Sequence, residues 1–170
     1  MSTVSLRAVT QADLPTVKAT AAKQGEEFEF YGFQPTNGLE RWYAASGCLS
    51  EDAGMLVVVF GDEILGRVNW HTVEYGPGSS SRAMRVGIAV LPEARGKGHG
   101  SMAQRLLAEY LFSTTRVQRV EAGTDIANVA EQKALEKAGF QREGVLRQAQ
   151  YRDGTWHDMA IYSKLRDEPA

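Results

Sequence analysis

The stretch from Met84 to Phe112 limits this chain more than any other. An apolar run, Val86-Gly87-Ile88-Ala89-Val90-Leu91, leads through Pro92-Glu93-Ala94 into a basic glycine loop, Arg95-Gly96-Lys97-Gly98-His99-Gly100-Ser101. An amphipathic segment then runs from Ser101 to Phe112, so the order is strand, loop, helix. A helix start presents unpaired N–H groups, and alternating glycines let an anion approach the backbone, which together predict a phosphate site.

Spacing narrows the ligand. Glycines at 96, 98 and 100 lack the further glycine of the dinucleotide fingerprint, and no Gly-x4-Gly-Lys-Ser/Thr loop is present. Arg95 and Lys97 would complement a pyrophosphate, with His99 facing solvent or a phosphate.

At 170 residues the chain is expected to be one domain, and a net charge of -2 argues against a dedicated nucleic-acid binder. Cys48 is the only cysteine, which rules out an intramolecular disulfide and a metal site on paired thiolates. It is expected to be a buried thiol. The first residues lack an apolar signal core and no stretch nears ~20 apolar residues, so a soluble cytoplasmic protein is expected.

Periodicity supplies the other elements. Val4 to Val9 alternates as a strand, and Thr10 and Asp13 are candidate caps for a helix reaching about Lys23. Glu26 to Phe33 is acidic and aromatic, either solvated around a core plug or a wall for a cationic amine. Asn37 is a candidate cap for a helix over Gly38 to Ala45. Met55 to Phe60 and Ile64 to Val73 form a hairpin, and Tyr75 to Arg82 reads as a mobile loop. Met102, Leu106, Leu107, Tyr110 and Leu111 mark the expected packed face of the loop's helix. A strand over Val117 to Ile126, a helix over Val129 to Lys137 between Asn128 and Gly139, and two strands around Arg152-Asp153-Gly154 complete the chain. The order predicts an α/β fold with one mixed sheet covered by helices.

Arg95-Gly96-Lys97-Gly98-His99-Gly100 resembles the Arg/Gln-x-x-Gly-x-Gly/Ala signature of the GNAT superfamily of acyl-CoA-dependent N-acyltransferases. Asn128 followed by Gly139-Phe140 is similar to that family's second cofactor motif, and the segment from Glu143 to Arg166 resembles its ribosomal-protein N-acetyltransferase branch. The resemblance implies a GNAT-like fold, with a mostly antiparallel sheet of about seven strands and about four helices. It implies acetyl-CoA as acyl donor, with pyrophosphate on Arg95, Gly96, Lys97, Gly98, His99, Gly100 and Ser101. Ile88, Ala89 and Val90 would lie along the pantetheine arm, an N–H near Val90 would hold the acetyl carbonyl, and Asn128 would contact the arm from the other side. The implied reaction is acetyl transfer to a primary amine of a small molecule or a protein N-terminus, by direct attack in a ternary complex. An amine-bearing acceptor is then the partner, with a homodimer left open and neither nucleic acid nor membrane expected.

The acid and base depart from the family pattern. Leu135 stands where many relatives have tyrosine, Glu131 where the ribosomal-protein branch often has serine, and Gly123 where some relatives have glutamate. The glutamate often seen near Met84-Arg85 is also missing. Strand alternation puts Glu121 and Asp125 on the face of Gly123, so these two and Tyr151 are the catalytic candidates. A non-catalytic acyl-CoA-binding or regulatory module is the rival reading, and an ordinary doubly wound nucleotide binder a third.

Overall fold

The computed structural model describes residues 3–22 and 38–168. Its strands are β1 (Val4–Ala8), β2 (Ala53–Phe60), β3 (Glu63–Glu74), β4 (Arg82–Val90), β5 (Arg119–Asp125), β6 (Gln141–Arg152) and β7 (Thr155–Leu165). The described helices are α1 (Leu14–Ala22), α2 (Gly38–Ser46), α3 (His99–Thr114) and α4 (Val129–Lys137). All seven strands join one sheet in the order β1-β2-β3-β4-β5-β7-β6. Only the β4–β5 pair is parallel, as the mixed, mostly antiparallel reading expected.

Alternation along the strands sorts side chains onto two faces. On one, Val68, Trp70, Met84, Val86, Val120, Ala122, Ala160 and Tyr162 pack with Ala103, Leu107, Leu111 and Leu135 of α3 and α4. Burying a leucine such as Leu107 or Leu111 contributes roughly 1.5–3 kcal/mol. On the other face Val57 and Val59 pack with Val17, Cys48, Leu39 and Trp42 beside α1 and α2. Cys48 is fully buried there.

The turns follow residue chemistry. Asn128 Oδ1 accepts the Glu131 N–H at 3.2 Å, capping α4, and Gly139 follows that helix at φ +88°. Asp153 and Gly154, at φ 46° and 74°, give the doubly left-handed turn that matches hairpin twist. Arg166 closes the far end of α3, where its guanidinium donates to the carbonyls of Phe112, Thr115 and Val117 at 2.6–3.1 Å.

Two expectations changed. The buried face of α3 is Ala103, Gln104, Leu107, Ala108 and Leu111, while Met102 is 37% exposed. Leu107 and Leu111 are buried as the 3.6-residue spacing expected, but the stripe turns toward Ala103, Gln104 and Ala108 and leaves Met102 at its edge. Tyr75 to Arg82 includes a short 3-10 turn at Ser79–Ser81, and the Tyr75 hydroxyl is tied to Glu121 at 2.5 Å, so this segment is anchored to the sheet. The acidic-aromatic segment from Glu26 to Phe33 and the Asn37 cap lie outside the described residues.

Candidate functional site

β4 and β5 share three rungs, Met84↔Val120, Arg85↔Glu121 and Val86↔Ala122, and then part company. On its other edge β4 stays paired with β3 up to Val90. Leu91 N–H donates to Leu65 O on β3 at 2.8 Å, so alternation turns the Val90 N–H toward the β5 side, past the last rung. The Val90 carbonyl accepts from Arg95 Nε at 2.9 Å. The strands thus open a slot whose β4 wall runs through Ile88, Ala89 and Val90.

The glycine loop lies at the mouth of that slot. Gly96 and Gly98 take φ +74° and +80°, and Gly98 begins α3 without any side-chain cap. The helix start therefore keeps its N–H donors for another partner, beside the exposed cations Arg95 and Lys97. A methyl group added at Gly96 or Gly98 would meet nothing within 4 Å, so the space above them is open. The His99 ring packs on Phe60 with centroids 5.4 Å apart, and its Nδ1 is buried with no hydrogen-bond partner among the described residues. Ser101 turns inward, its hydroxyl donating to Gly98 O at 2.9 Å. These features suit a pyrophosphate. Asn128 spends its oxygen on the cap and keeps its amide nitrogen as a donor.

Behind the loop, Gln104 of α3 is 2% exposed, with its amide beside Glu131 of α4. Burial pushes the Glu131 carboxyl on α4 up to about 7, with the nearby Gln104 amide opposing the rise. Glu131 can therefore carry a proton near neutrality. Leu135, one turn further, is wholly buried in the core.

The slot's other side opens on the face of α1. Gly87 and Gly123 follow the last rung on that face, with the Asn69 side chain lying over Gly87 and the end of Ile161 over Gly123. On the β3 wall, Arg67 donates to Thr20 Oγ1 at 3.2 Å and Asn69 Oδ1 at 2.7 Å, and burial lowers its guanidinium pKa. No carboxylate pairs with Arg67 among the described residues.

The three catalytic candidates fare differently. Glu121 is buried and saturated by Tyr75 Oη at 2.5 Å, Arg85 Nε at 2.8 Å and Arg119 Nε at 3.0 Å. Burial alone would raise its pKa, but the Tyr75, Arg119 and Arg85 hydrogen bonds together bring it below the ordinary glutamate value. A carboxylate held so firmly in its charged form is a weak base. Tyr151 is 57% exposed and stacks edge-on against Trp156, centroids 5.3 Å apart. Asp125 is buried at the end of β5, and its Oδ1 accepts the Ala127 N–H at 2.6 Å. Its Oδ2 is paired with the buried Arg152 and lies 2.7 Å from His157 Nδ1.

His157 escaped the sequence reading. It stands next to Asp158 in a segment noted only as similar to the ribosomal-protein branch, and its carboxylate partner is 32 residues away on another strand. Only the β5–β7 register brings the two together.

Comparison with known proteins agrees with this geometry. A family model described as an acetyltransferase (GNAT) domain matches residues 3–141. The chain is 33% identical over 104 residues to the uncharacterized N-acetyltransferase YoaA of Bacillus subtilis, covering 61% of this chain and 56% of that relative. It therefore spans little more than half the length of that protein. The fold superposes on spermidine N-acetyltransferase from Vibrio cholerae, crystallised with CoA and spermine, with a TM-score of 0.80 at 19% identity over 96% of this chain and 95% of that one. The ribosomal-protein-S5-alanine acetyltransferase of Vibrio fischeri gives a TM-score of 0.75 at 20% identity, over 99% and 98% of the two chains. With a family match across most of its length and a slot, loop and capping asparagine to go with it, the chain belongs to the GNAT acetyltransferases.

Proposed function

We propose that this protein is an acetyl-CoA-dependent N-acetyltransferase that moves an acetyl group onto a primary amine by direct attack in a ternary complex. One observation carries the reading: the β4 edge is released from β5 after Val86, next to an uncapped, basic helix start. That pairing of features offers a thioester a backbone edge and a pyrophosphate a set of N–H donors. Arg95, Lys97 and the N–H groups from Gly96 to Ser101 bind the pyrophosphate. The β4 residues Ile88 to Val90 align the pantetheine arm, and Asn128 Nδ2 donates to it from α4. The Val90 N–H polarises the acetyl carbonyl, a contribution of about 3 kcal/mol where single donors of this kind have been removed.

The acceptor enters from the α1 face, over Gly87 and Gly123. The charge of Arg67, which no carboxylate among the described residues neutralises, and the amide of Asn69 favour an amine that carries a carboxylate or carbonyl nearby, as a peptide N-terminus or amino acid does. A small-molecule amine without such a group, for example an antibiotic or polyamine, fits the pocket floor but leaves that wall unused.

Thiol release from acetyl-CoA in the presence of an amine panel tests the reading, with calorimetry of CoA binding alongside. Absence of CoA binding would sink it. Tight CoA binding with no turnover on any amine would instead support the non-catalytic binding module, a reading favoured by the saturation of Glu121 and the burial of Leu135.

A further inference from the structure

We propose that acetyl-CoA draws a proton onto Glu131 as it binds, so that the occupied site holds this carboxyl neutral and affinity for the cosubstrate falls as pH rises. The inference rests on the acyl-CoA reading above and adds a residue and a regulatory input to that same site.

Glu131 stands on the helix side of the slot. α3 packs on β1, β3 and β4, α4 packs on β5 and β6, and the two helices meet each other on the face of Val86 and Ala122. Their contact therefore lies over the line along which β4 and β5 separate past Val86↔Ala122. Both helices begin at the open end of that line, α3 at the glycine loop after β4 and α4 at Asn128 after β5. Glu131 is in the first turn of α4, where its N–H donates to Asn128 Oδ1 at 3.2 Å.

The Glu131 carboxyl lies beside the Gln104 amide of α3. Gln104 is one helical turn beyond Gly100 on the same side of α3. Gly100 abuts the β4 wall, since a methyl group there would lie 3.8 Å from Val90 Cγ2 and 3.9 Å from Ile88 Cδ1. A rise of about 1.5 Å per residue puts Gln104 about 5–9 Å along the axis from the N–H groups of residues 98 to 101. The carboxyl beside it is then on the order of 10 Å from a pyrophosphate on those groups.

No cation offsets the burial of Glu131. On α3, Arg105 pairs with Glu109. On β5, Asp125 points to the other face of the sheet, against Arg152 and His157. On β6, Glu143 pairs with Arg119, and Arg142 acts on Tyr162 near Glu136, toward the far end of α4. Lys133 on α4 itself is exposed. Arg95, Lys97 and His99 belong to the glycine loop, beside the phosphates.

Phosphates at the loop bring negative charge toward the carboxyl, and a pantetheine arm in the slot displaces water beneath the two helices. Both disfavour a carboxylate. An ordinary glutamate is charged throughout the neutral range and would not respond. Glu131, with a folded pKa of about 7, is poised to respond. The occupied site holds it higher still, so affinity is flat well below pH 7 and falls above it, by at most about tenfold per pH unit.

The test is calorimetry on the full chain, comparing wild type, E131Q and H99Q from pH 6 to 8.5 in buffers of differing ionisation enthalpy. The probes are CoA and dephospho-CoA, because the 3′-phosphate itself titrates near pH 6. Wild type should take up about half a proton near pH 7 with either probe, and its Kd should rise about 5–10-fold from pH 7 to 8.5. E131Q should match wild type at pH 6, change less than about twofold across the range, and bind about 10-fold more tightly than wild type at pH 8.5. H99Q should keep the wild-type slope. A wild-type slope in E131Q, or loss of the slope in H99Q instead, would overturn the proposal. So would the absence of proton uptake by wild type with dephospho-CoA at pH 7, whatever the variants do. Failure of wild type to bind CoA at any pH removes the acyl-CoA reading as well, whereas CoA binding without proton uptake removes only this inference.

Discussion

Gly87 of β4 and Gly123 of β5 each follow the last rung between their strands, Val86↔Ala122, and neither puts a side chain into the α1 face. Gly123→Val tests what that bareness is for. A Cβ at Gly123 would come 3.2 Å from Ile161 Cδ1, the end of a flexible side chain that can give way. The fold should tolerate the change, with Tm within a few degrees and CoA affinity within about twofold. Acceptor KM should rise about 10-fold or more, the usual size of a steric conflict in a binding pocket. An unchanged acceptor KM would place the acceptor elsewhere.

Lys97 and Gly98 separate charge from backbone shape in the loop. Lys97→Ala should weaken CoA binding about 3–10-fold, and less so as salt is raised, because an exposed ion pair is screened. Gly98→Ala adds a methyl with no neighbour within 4 Å, so any cost arises from holding alanine at φ +80°, about 1 kcal/mol. Calorimetry at two salt concentrations and thermal melts read both effects.

Glu131 makes stability fall as pH rises. Its folded pKa, about 7, is above the ordinary glutamate value, so the folded state holds a proton that the unfolded state has released. The associated stability is present below about pH 4.5 and is lost as pH climbs through about 7. Glu131→Gln should therefore be more stable than wild type at pH 8, by about 1–3 kcal/mol, and nearly equal to it at pH 4.5. Denaturant melts at the two pH values check the sign.

The Glu121 and Glu143 network has the opposite sign. Glu121 is held below its ordinary value, and the Arg119 hydrogen bond leads in drawing Glu143 down to about 2. Both carboxylates stabilise the fold above their unfolded pKa values, and that stability disappears as pH falls from about 4.5 toward 2. Glu121→Gln should flatten part of this acid limb and cost about 1–3 kcal/mol at neutral pH, since Arg85 and Arg119 lose a buried partner but reach water. The pH profile of kcat/KM should keep its shape, as expected of a structural carboxylate.

Arg67 provides the test of the proposed acceptor class. Arg67→Met keeps the stem and removes the charge, and it should lower kcat/KM at least about 10-fold for N-terminal peptides or amino acids, the range for a charged hydrogen bond. Polyamines should respond little or improve. Equal effects on both acceptor classes would remove the carboxylate or carbonyl from the substrate description.

What was legible in the sequence was local. Asn128 and Gly139 bound α4 because a cap and a left-handed stop act within a few residues, and the Gly61-Asp62 and Asp153-Gly154 turns set the hairpins likewise. The glycine loop's left-handed turn into α3 was legible for the same reason. What depends on which strand lies beside which was not legible. Glu121 looked like a free carboxylate until Tyr75, Arg85 and Arg119 converged on it from other elements. His157 drew no notice until the β5–β7 register set it against Asp125. On α3 the spacing found Leu107 and Leu111, but the buried stripe is turned toward Ala103, Gln104 and Ala108, which periodicity counted over large apolar residues passes over.

The three rungs between β4 and β5 also make this sheet mechanically uneven. It is a pair of plates, β1 to β4 on one side and β5, β7 and β6 on the other, stitched by a short seam at one end. A ligand that lays its own amides along the β4 edge lengthens the seam and stiffens the joint. Acetyl-CoA would then be a fastener as well as a reagent, and release of the spent thiol would loosen the joint before the next acceptor arrives.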